Sequence, residues 1–195
     1  MLPNRISTIY KAFANLYGAI LSDDVYSILK KYYPDILKKD LIENLKEKCQ
    51  TDTKGYIILK TNNNKYVIAL TFIPIYEMDD VLSQRNIKSF YIYNDVSDFL
   101  KYADSSYCEE TPEYRRLYRF YKYTLRLSDD EIKKCFKTIL HINRSGQTDM
   151  ESIIKTINGK IDTEDQVYDF LNIYQKFINN LRIPYNLGHT PVEVS

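Results

Sequence analysis

The chain is poor in the residue types that most often mark an active site. Its five glycines, Gly18, Gly55, Gly146, Gly159 and Gly188, are isolated, so no glycine-rich loop exists to cradle a phosphate with backbone amides. The two histidines, His141 and His189, fall in no metal-ligand spacing, and no Cys or Ser lies in a nucleophile motif. Cys49, Cys108 and Cys135 are odd in number and widely separated, a pattern of neither a disulfide framework nor a zinc cluster, which leaves reduced thiols as the expectation. Tryptophan is absent, and the 19 tyrosines, beside many Ile, Lys and Asn, read mainly as the codon bias of an AT-rich genome. No run of about 18 apolar residues could span a bilayer, and no short apolar leader opens the chain, so a cytoplasmic protein is expected. An excess of one charge is also missing. The 27 basic and 26 acidic residues leave a formal charge of +1, so any attraction to nucleic acid must come from local patches. Carboxylate pairs such as Asp23/Asp24 and Asp129/Asp130 sit at expected helix starts, where the helix dipole accounts for them. Together these scarcities point away from an enzyme, a cofactor or a metal site.

What the chain does have is a local concentration of cations and rings. In the stretch 113–126, EYRRLYRFYKYTLR, a helical period places Arg115, Arg119, Lys122 and Arg126 on one stripe, with Arg116 beside it. Tyr114, Tyr118, Tyr121 and Leu125 flank the stripe on one side, and Phe120, Tyr123 and Leu127 on the other. Such a surface suits phosphates, stacked bases or an acidic protein. Two structural readings stand beside that one. Long basic side chains often lie along rings as a solvated face, and Glu109, Glu110, Asp129 and Asp130 could neutralise the stripe as an internal ion network.

The 195 residues suffice for one well-buried domain or two small ones. The pattern predicts a mainly α (α+β) protein with a winged-helix-like domain over residues 1–75, a connector over 76–93 and a helical bundle over 94–195. In the first part, Pro3 leads a helix carrying Ile6, Ile9, Tyr10, Phe13 and Leu16 that ends near Gly18. Ser22 is expected to cap a second helix with Val25, Ile28, Leu29 and Tyr32 inward, stopped by Pro34. A third helix puts Leu37, Leu41 and Leu45 inward and Lys38, Lys39 and Lys46 outward. Two β-rich runs, 56–61 and 65–73, are joined by Asn62, Asn63 and Asn64, which tolerate hairpin-turn geometry. Three helices and a hairpin are the order of a winged helix, in which the third helix enters a groove and the wing around Asn63 touches the backbone. Asp40, Glu43 and Glu47 nearly balance the lysines of that helix.

In the connector a short helix is expected around Asp79 to Gln84 and a β-like stretch at Phe90 to Tyr93. Further on, Asn94 or Asp95 caps a helix with Val96, Phe99, Leu100 and Ala103, and Thr111 with Pro112 starts the basic helix. Three capping boxes announce later helices: Ser128 with Glu131, Thr148 with Glu151 and Thr163 with Gln166. Their apolar stripes are Ile132, Phe136 and Ile139, then Met150, Ile153, Ile154 and Ile157, then Val167, Phe170, Leu171, Tyr174, Phe177, Ile178 and Leu181. Gly159 is expected to end the middle one.

The tail from Asn180 to Glu193, with Arg182, Asn186, Gly188, His189, Thr190, Pro191 and Glu193, is similar to the spacing Asn-x-x-Arg-x-x-x-Asn-x-Gly-His-Thr-Pro-x-Glu. This tail resembles a segment of uncharacterised proteins of low-GC Gram-positive bacteria and their phages, which in longer relatives precedes a cysteine-rich SEC-C zinc module. Such a module does not follow here, so the resemblance implies no metal role. It implies a phage or mobile-element origin and, by extension, a counter-defence inhibitor of an RNA-guided Cas nuclease with its guide RNA. In physical terms Asn186 and Gly188 suit a turn, His189 a structural hydrogen bond within it, and Thr190 with Pro191 the start of a last helical turn. Three functional readings follow: a non-catalytic binder of nucleic acid or nucleoprotein, using the winged helix and the basic helix as one composite surface; a winged-helix DNA-binding regulator, expected as a homodimer; and a protein adaptor. The residues expected to carry binding are Arg115, Arg116, Arg119, Lys122, Arg126, Tyr118 and Tyr123, with Lys38, Lys39, Lys46 and Asn63 in the winged-helix alternative.

Overall fold

A computed structural model describes residues 2–49, 53, 55–71, 73, 78–83, 89–146, 150–157 and 159–195. The protein is mainly helical with one small antiparallel sheet. The chain forms two compact units, one of Met1–Tyr107 with Pro184–Gly188, the other of Cys108–Ile183 with His189–Ser195.

The first unit is built around α1 (Ile6–Tyr17). Sequence periodicity predicts one apolar stripe there, yet Ile9, Tyr10 and every residue from Ala12 to Tyr17 are buried, so the C-terminal part of the helix is enclosed on all sides. Its polar groups are satisfied as burial demands. Asn15 Nδ2 donates to the Tyr102 carbonyl at 2.8 Å and Tyr17 Oη to the Tyr91 carbonyl at 2.7 Å. Pro3 lies ahead of the helix, its carbonyl accepting from the Ile6 N–H at 3.1 Å. Gly18, at φ 73°, ends α1, with its N–H donating to the Ala14 carbonyl at 2.8 Å.

The chain then forms β1 (Ala19–Leu21), which at three residues is too short to show a period. α2 (Ser22–Tyr32) and α3 (Lys38–Glu47) follow, and then β2 (Ile57–Lys60) and β3 (Tyr66–Ala69). The sheet order is β1-β3-β2, with Ile20 and Ile58 both opposite Ile68. Central β3 is buried on both faces. Tyr66 and Ile68 join the main core with α1, α2 and α3, while Val67 and Ala69 join a smaller cluster with Ala19, Leu59 and Met78. Met78 belongs to α4 (Met78–Ser83), the short helix expected nearby.

Two local expectations fail here. Ser22 is the first buried residue of α2 and does not cap it; Leu21 holds the cap position in extended backbone. Leu37 is 57% exposed, because α3 begins only at Lys38 and the extended Leu37 falls outside its period, so Ile36 fills the core instead.

The two compact units meet in sequence at Tyr107 and Cys108, beyond the 76–93 stretch read as a connector. The described residues of that stretch, and α5 (Val96–Lys101), belong to the first unit. Phe90 to Tyr93 is not a strand; Phe90 packs its ring 5.0 Å from Tyr17, and the Tyr91 N–H donates to the Leu187 carbonyl at 3.0 Å. Asp95 caps α5, and the Phe99 ring lies tilted 4.9 Å from Phe13 and stacks 5.9 Å from Tyr32. Burying such a ring contributes about 2 kcal/mol, which ties α5 to α1.

The second unit contains α6 (Pro112–Arg119) running into a π-helical turn at Phe120–Thr124, then α7 (Asp129–Ser145), α8 (Met150–Ile157), α9 (Glu164–Asn179) and α10 (Pro191–Val194). Leu117, Tyr121, Phe136, Phe170 and Phe177 form its core, with Tyr114 stacked 4.5 Å from Phe136. The box at Ser128 and Glu131 is complete. Thr163 accepts from the Gln166 N–H, but Gln166 reaches back to the Asp162 N–H instead of the cap. Thr148 lies outside the described residues. Ile154, Val167 and Leu171, expected inside, are 47%, 40% and 40% exposed. Ile154 and Leu171 sit one residue beside the stripe formed by Ile153, Ile157, Phe170, Ile173 and Tyr174, and Val167, on its period, belongs to the first turn of α9, ahead of the buried part.

The tail motif is a clasp. Arg182, its side chain only 9% exposed, forks onto both Glu193 oxygens at 2.9 and 3.2 Å and donates Nε–H to Glu109 at 3.1 Å. Thr190 and Glu193 form a full capping box with Pro191 in the first turn, and His189 Nδ1 lies 3.5 Å from Glu193. Gly188, at φ 82°, leaves no room for a side chain: a Cβ would sit 2.9 Å from Tyr17 Cε1.

Candidate nucleic-acid interface

α6 starts where a helix should. Thr111 accepts from the Tyr114 N–H at 3.1 Å and Pro112 occupies the first turn. Leu117 is the buried anchor, and the opposite face carries Arg115, Arg116 and Arg119, all exposed. Among the described residues none of these three guanidiniums has an ion-pair or hydrogen-bond partner. Together with Pro112 they line an open-sided depression of about 530 Å³.

The four-cation stripe expected from sequence does not continue beyond Arg119. At Phe120 the helix widens, and the Leu125 N–H donates to the Phe120 carbonyl five residues back, at 3.1 Å. Thr124 is exposed and Leu125 buried. Arg126 then adopts φ 54°, outside helical geometry, so it does not extend the row. Lys122, half-buried, is bound to Asp129 at 2.8 Å, and Tyr118 Oη donates to the same carboxylate at 3.1 Å. The hydrogen bonds from Lys122 and Tyr118 hold the Asp129 carboxyl below its ordinary pKa, and the bond to Asp129 raises that of Lys122. Among the described residues the internal-network reading therefore applies to Lys122, while the three arginines of α6, and Arg126 outside their row, have no ion-pair partner. Tyr123 is 74% exposed and makes no hydrogen bond or ring contact among the described residues.

The alternative surface in the first unit is more nearly neutralised. Asp23, read from sequence as a dipole-favoured carboxylate, binds Lys38 at 2.7 Å and also Lys65 of the β2–β3 turn at 3.0 Å, which lowers its pKa. That bridge joins residues 15 and 42 positions apart, so no sequence spacing could show it. Lys39 lies 3.8 Å from Glu43, and Lys46 is exposed. Asn63 is exposed in the turn, where the neighbouring Asn64 takes φ 59°.

Among the described residues no group of three His, Cys, Asp or Glu side chains could hold a metal ion, and no helix is long and apolar enough to cross a membrane. Comparison with protein-family models, with curated proteins and with solved structures finds no match.

Proposed function

We propose that this chain is a non-catalytic nucleic-acid-binding protein that contacts phosphates through Arg115, Arg116 and Arg119. The supporting observation is three exposed guanidiniums around one depression with no carboxylate partner among the described residues. Guanidinium matches phosphate in fork geometry and stays charged at any working pH. Lys122 is held back by Asp129, so about three contacts are available and the logarithmic salt slope should be roughly −2 to −3. A nucleoprotein would use the same surface. If the tail resemblance reflects a phage or mobile-element origin, occupation of the guide or target channel of a Cas nuclease is the corresponding counter-defence role.

A second reading has one observation in its favour. The order α1-β1-α2-α3-β2-β3 with sheet order β1-β3-β2 is consistent with a winged helix, in which α3 would read a duplex as part of a dimeric regulator. Against it, Asp23 already occupies Lys38 and Lys65.

The test is binding to labelled duplex DNA, single-stranded DNA and single-stranded RNA across a salt series, for the native protein and for Arg115→Glu with Arg119→Glu. Charge-assisted hydrogen bonds are each worth about 1.5–3 kcal/mol, so the double reversal should weaken binding on the order of 100-fold. No binding by the folded native protein to any of the three would reject the proposal in favour of a protein partner.

A further inference from the structure

The geometry points to a single-stranded nucleic acid as the ligand of this surface, with phosphates on Arg115, Arg116 and Arg119 and one base stacked on Tyr123. This inference rests on the phosphate-binding reading above and narrows it.

Among the described residues Tyr123 is the most exposed of the large apolar side chains, at 74%, and it follows Arg119 by four residues on the same continuous helical stretch. Arg115 and Arg119 lie one α-helical turn apart and Tyr123 follows across the widened turn, so the three are spread over at most about 12 Å of helix, a length that about three stacked nucleotides cover at roughly 3.4 Å each. Cations that follow a backbone beside a ring that takes a base are the two components of single-strand recognition, because every unpaired base offers a π-face and a paired one does not.

Charge on the neighbouring turn favours a narrow ligand as well. Asp129 is held against Lys122 and Tyr118, so a carboxylate stands where the basic strip would otherwise continue. A duplex presents phosphates on two strands and would bring some of them toward that carboxylate, whereas a single strand can keep to the arginine side. The stretch 112–124 also holds no Asn or Gln to pair with adenine edges. The widened turn matters here. It keeps Phe120 and Tyr121 in the core while leaving Tyr123 outside.

The experiment compares a mixed-sequence single strand, the same strand with abasic sites, and the matching duplex, against the native protein, Tyr123→Ala, Tyr123→Phe and the double arginine reversal. Because Tyr123 is exposed, its replacement should leave folding intact, and circular dichroism checks this. The native protein should bind the single strand at least about tenfold more tightly than the duplex or the abasic strand. Tyr123→Ala should lose about tenfold on the normal strand, little on the abasic one, and keep the salt slope, while Tyr123→Phe should bind like the native protein. Equal affinity for duplex and single strand, or native-like binding by Tyr123→Ala, would overturn the inference; if the arginine reversal still abolished binding, the phosphate reading would survive it. Absence of binding to every probe would overturn both.

Discussion

Arg182 shows how one residue organises the tail. A guanidinium with its side chain 9% exposed must be compensated, and the Glu193 fork together with Glu109 does this while the Thr190 capping box fixes Glu193 in place. Partial burial raises the Glu193 carboxyl, but hydrogen bonds from Arg182 and the Thr190 N–H, with the Arg182 charge, outweigh it and leave the group below its ordinary value. A carboxylate with a lowered folded pKa takes up its proton more readily in the unfolded chain. Its stabilisation is therefore complete above the unfolded value of about 4.3 and is lost as pH falls through the folded one. Urea midpoints measured from pH 6 to pH 3 should fall for the native protein and fall less for Glu193→Gln. Identical acid sensitivity in the two would show that the clasp does not carry this part of the stability.

At the scale of the element, the α6 stretch is decided by its change from α to π geometry. A uniform α-helix through Arg126 would present four aligned cations. The wide turn from Phe120 ends that alignment, and Lys122 is left facing the start of α7, where Asp129 binds it. Asp129→Asn removes the anion from this pair. Lys122 then becomes a fourth phosphate contact, and the salt slope should steepen by about one contact's share, roughly 0.7 to 0.9, with a several-fold gain in affinity at low salt. Titration of a labelled single strand at a series of salt concentrations reads this directly; an unchanged slope would mean that Lys122 does not reach the ligand.

At the scale of the whole molecule, two basic surfaces compete for the same role, one in each unit. A net charge of +1 gives the protein little long-range attraction, so binding depends on which local patch keeps its cations free. On α3, Lys38 is committed to Asp23 and Lys39 faces Glu43, while on α6 three arginines have no partner among the described residues. Reversing Lys39 and Lys46 together to Glu should accordingly leave single-strand affinity within about threefold, as expected for exposed charges outside a contact surface. A loss of tenfold or more would move the interface to α3 and favour the winged-helix regulator.

The sequence by itself determined the helices, the caps at Thr111, Ser128 and Thr190, the turn at Asn62–Asn64 and the concentration of arginine at 115–119. All of these follow from forces acting over a few residues: backbone donors needing caps, and apolar positions repeating at the helical period. The strand Ala19–Leu21 was not legible, because three residues make no period and its partner lies some fifty positions away. Nor was the all-round burial of the C-terminal part of α1, since small residues such as Ala12 and Ala14 read as neutral until other elements close over them. Only the tertiary structure decided which cations remain free. Pairing of Asp23 with Lys38 and Lys65, of Asp129 with Lys122 and of Arg182 with Glu193 depends on where separate elements pack, and electrostatic partners are set by distance in space.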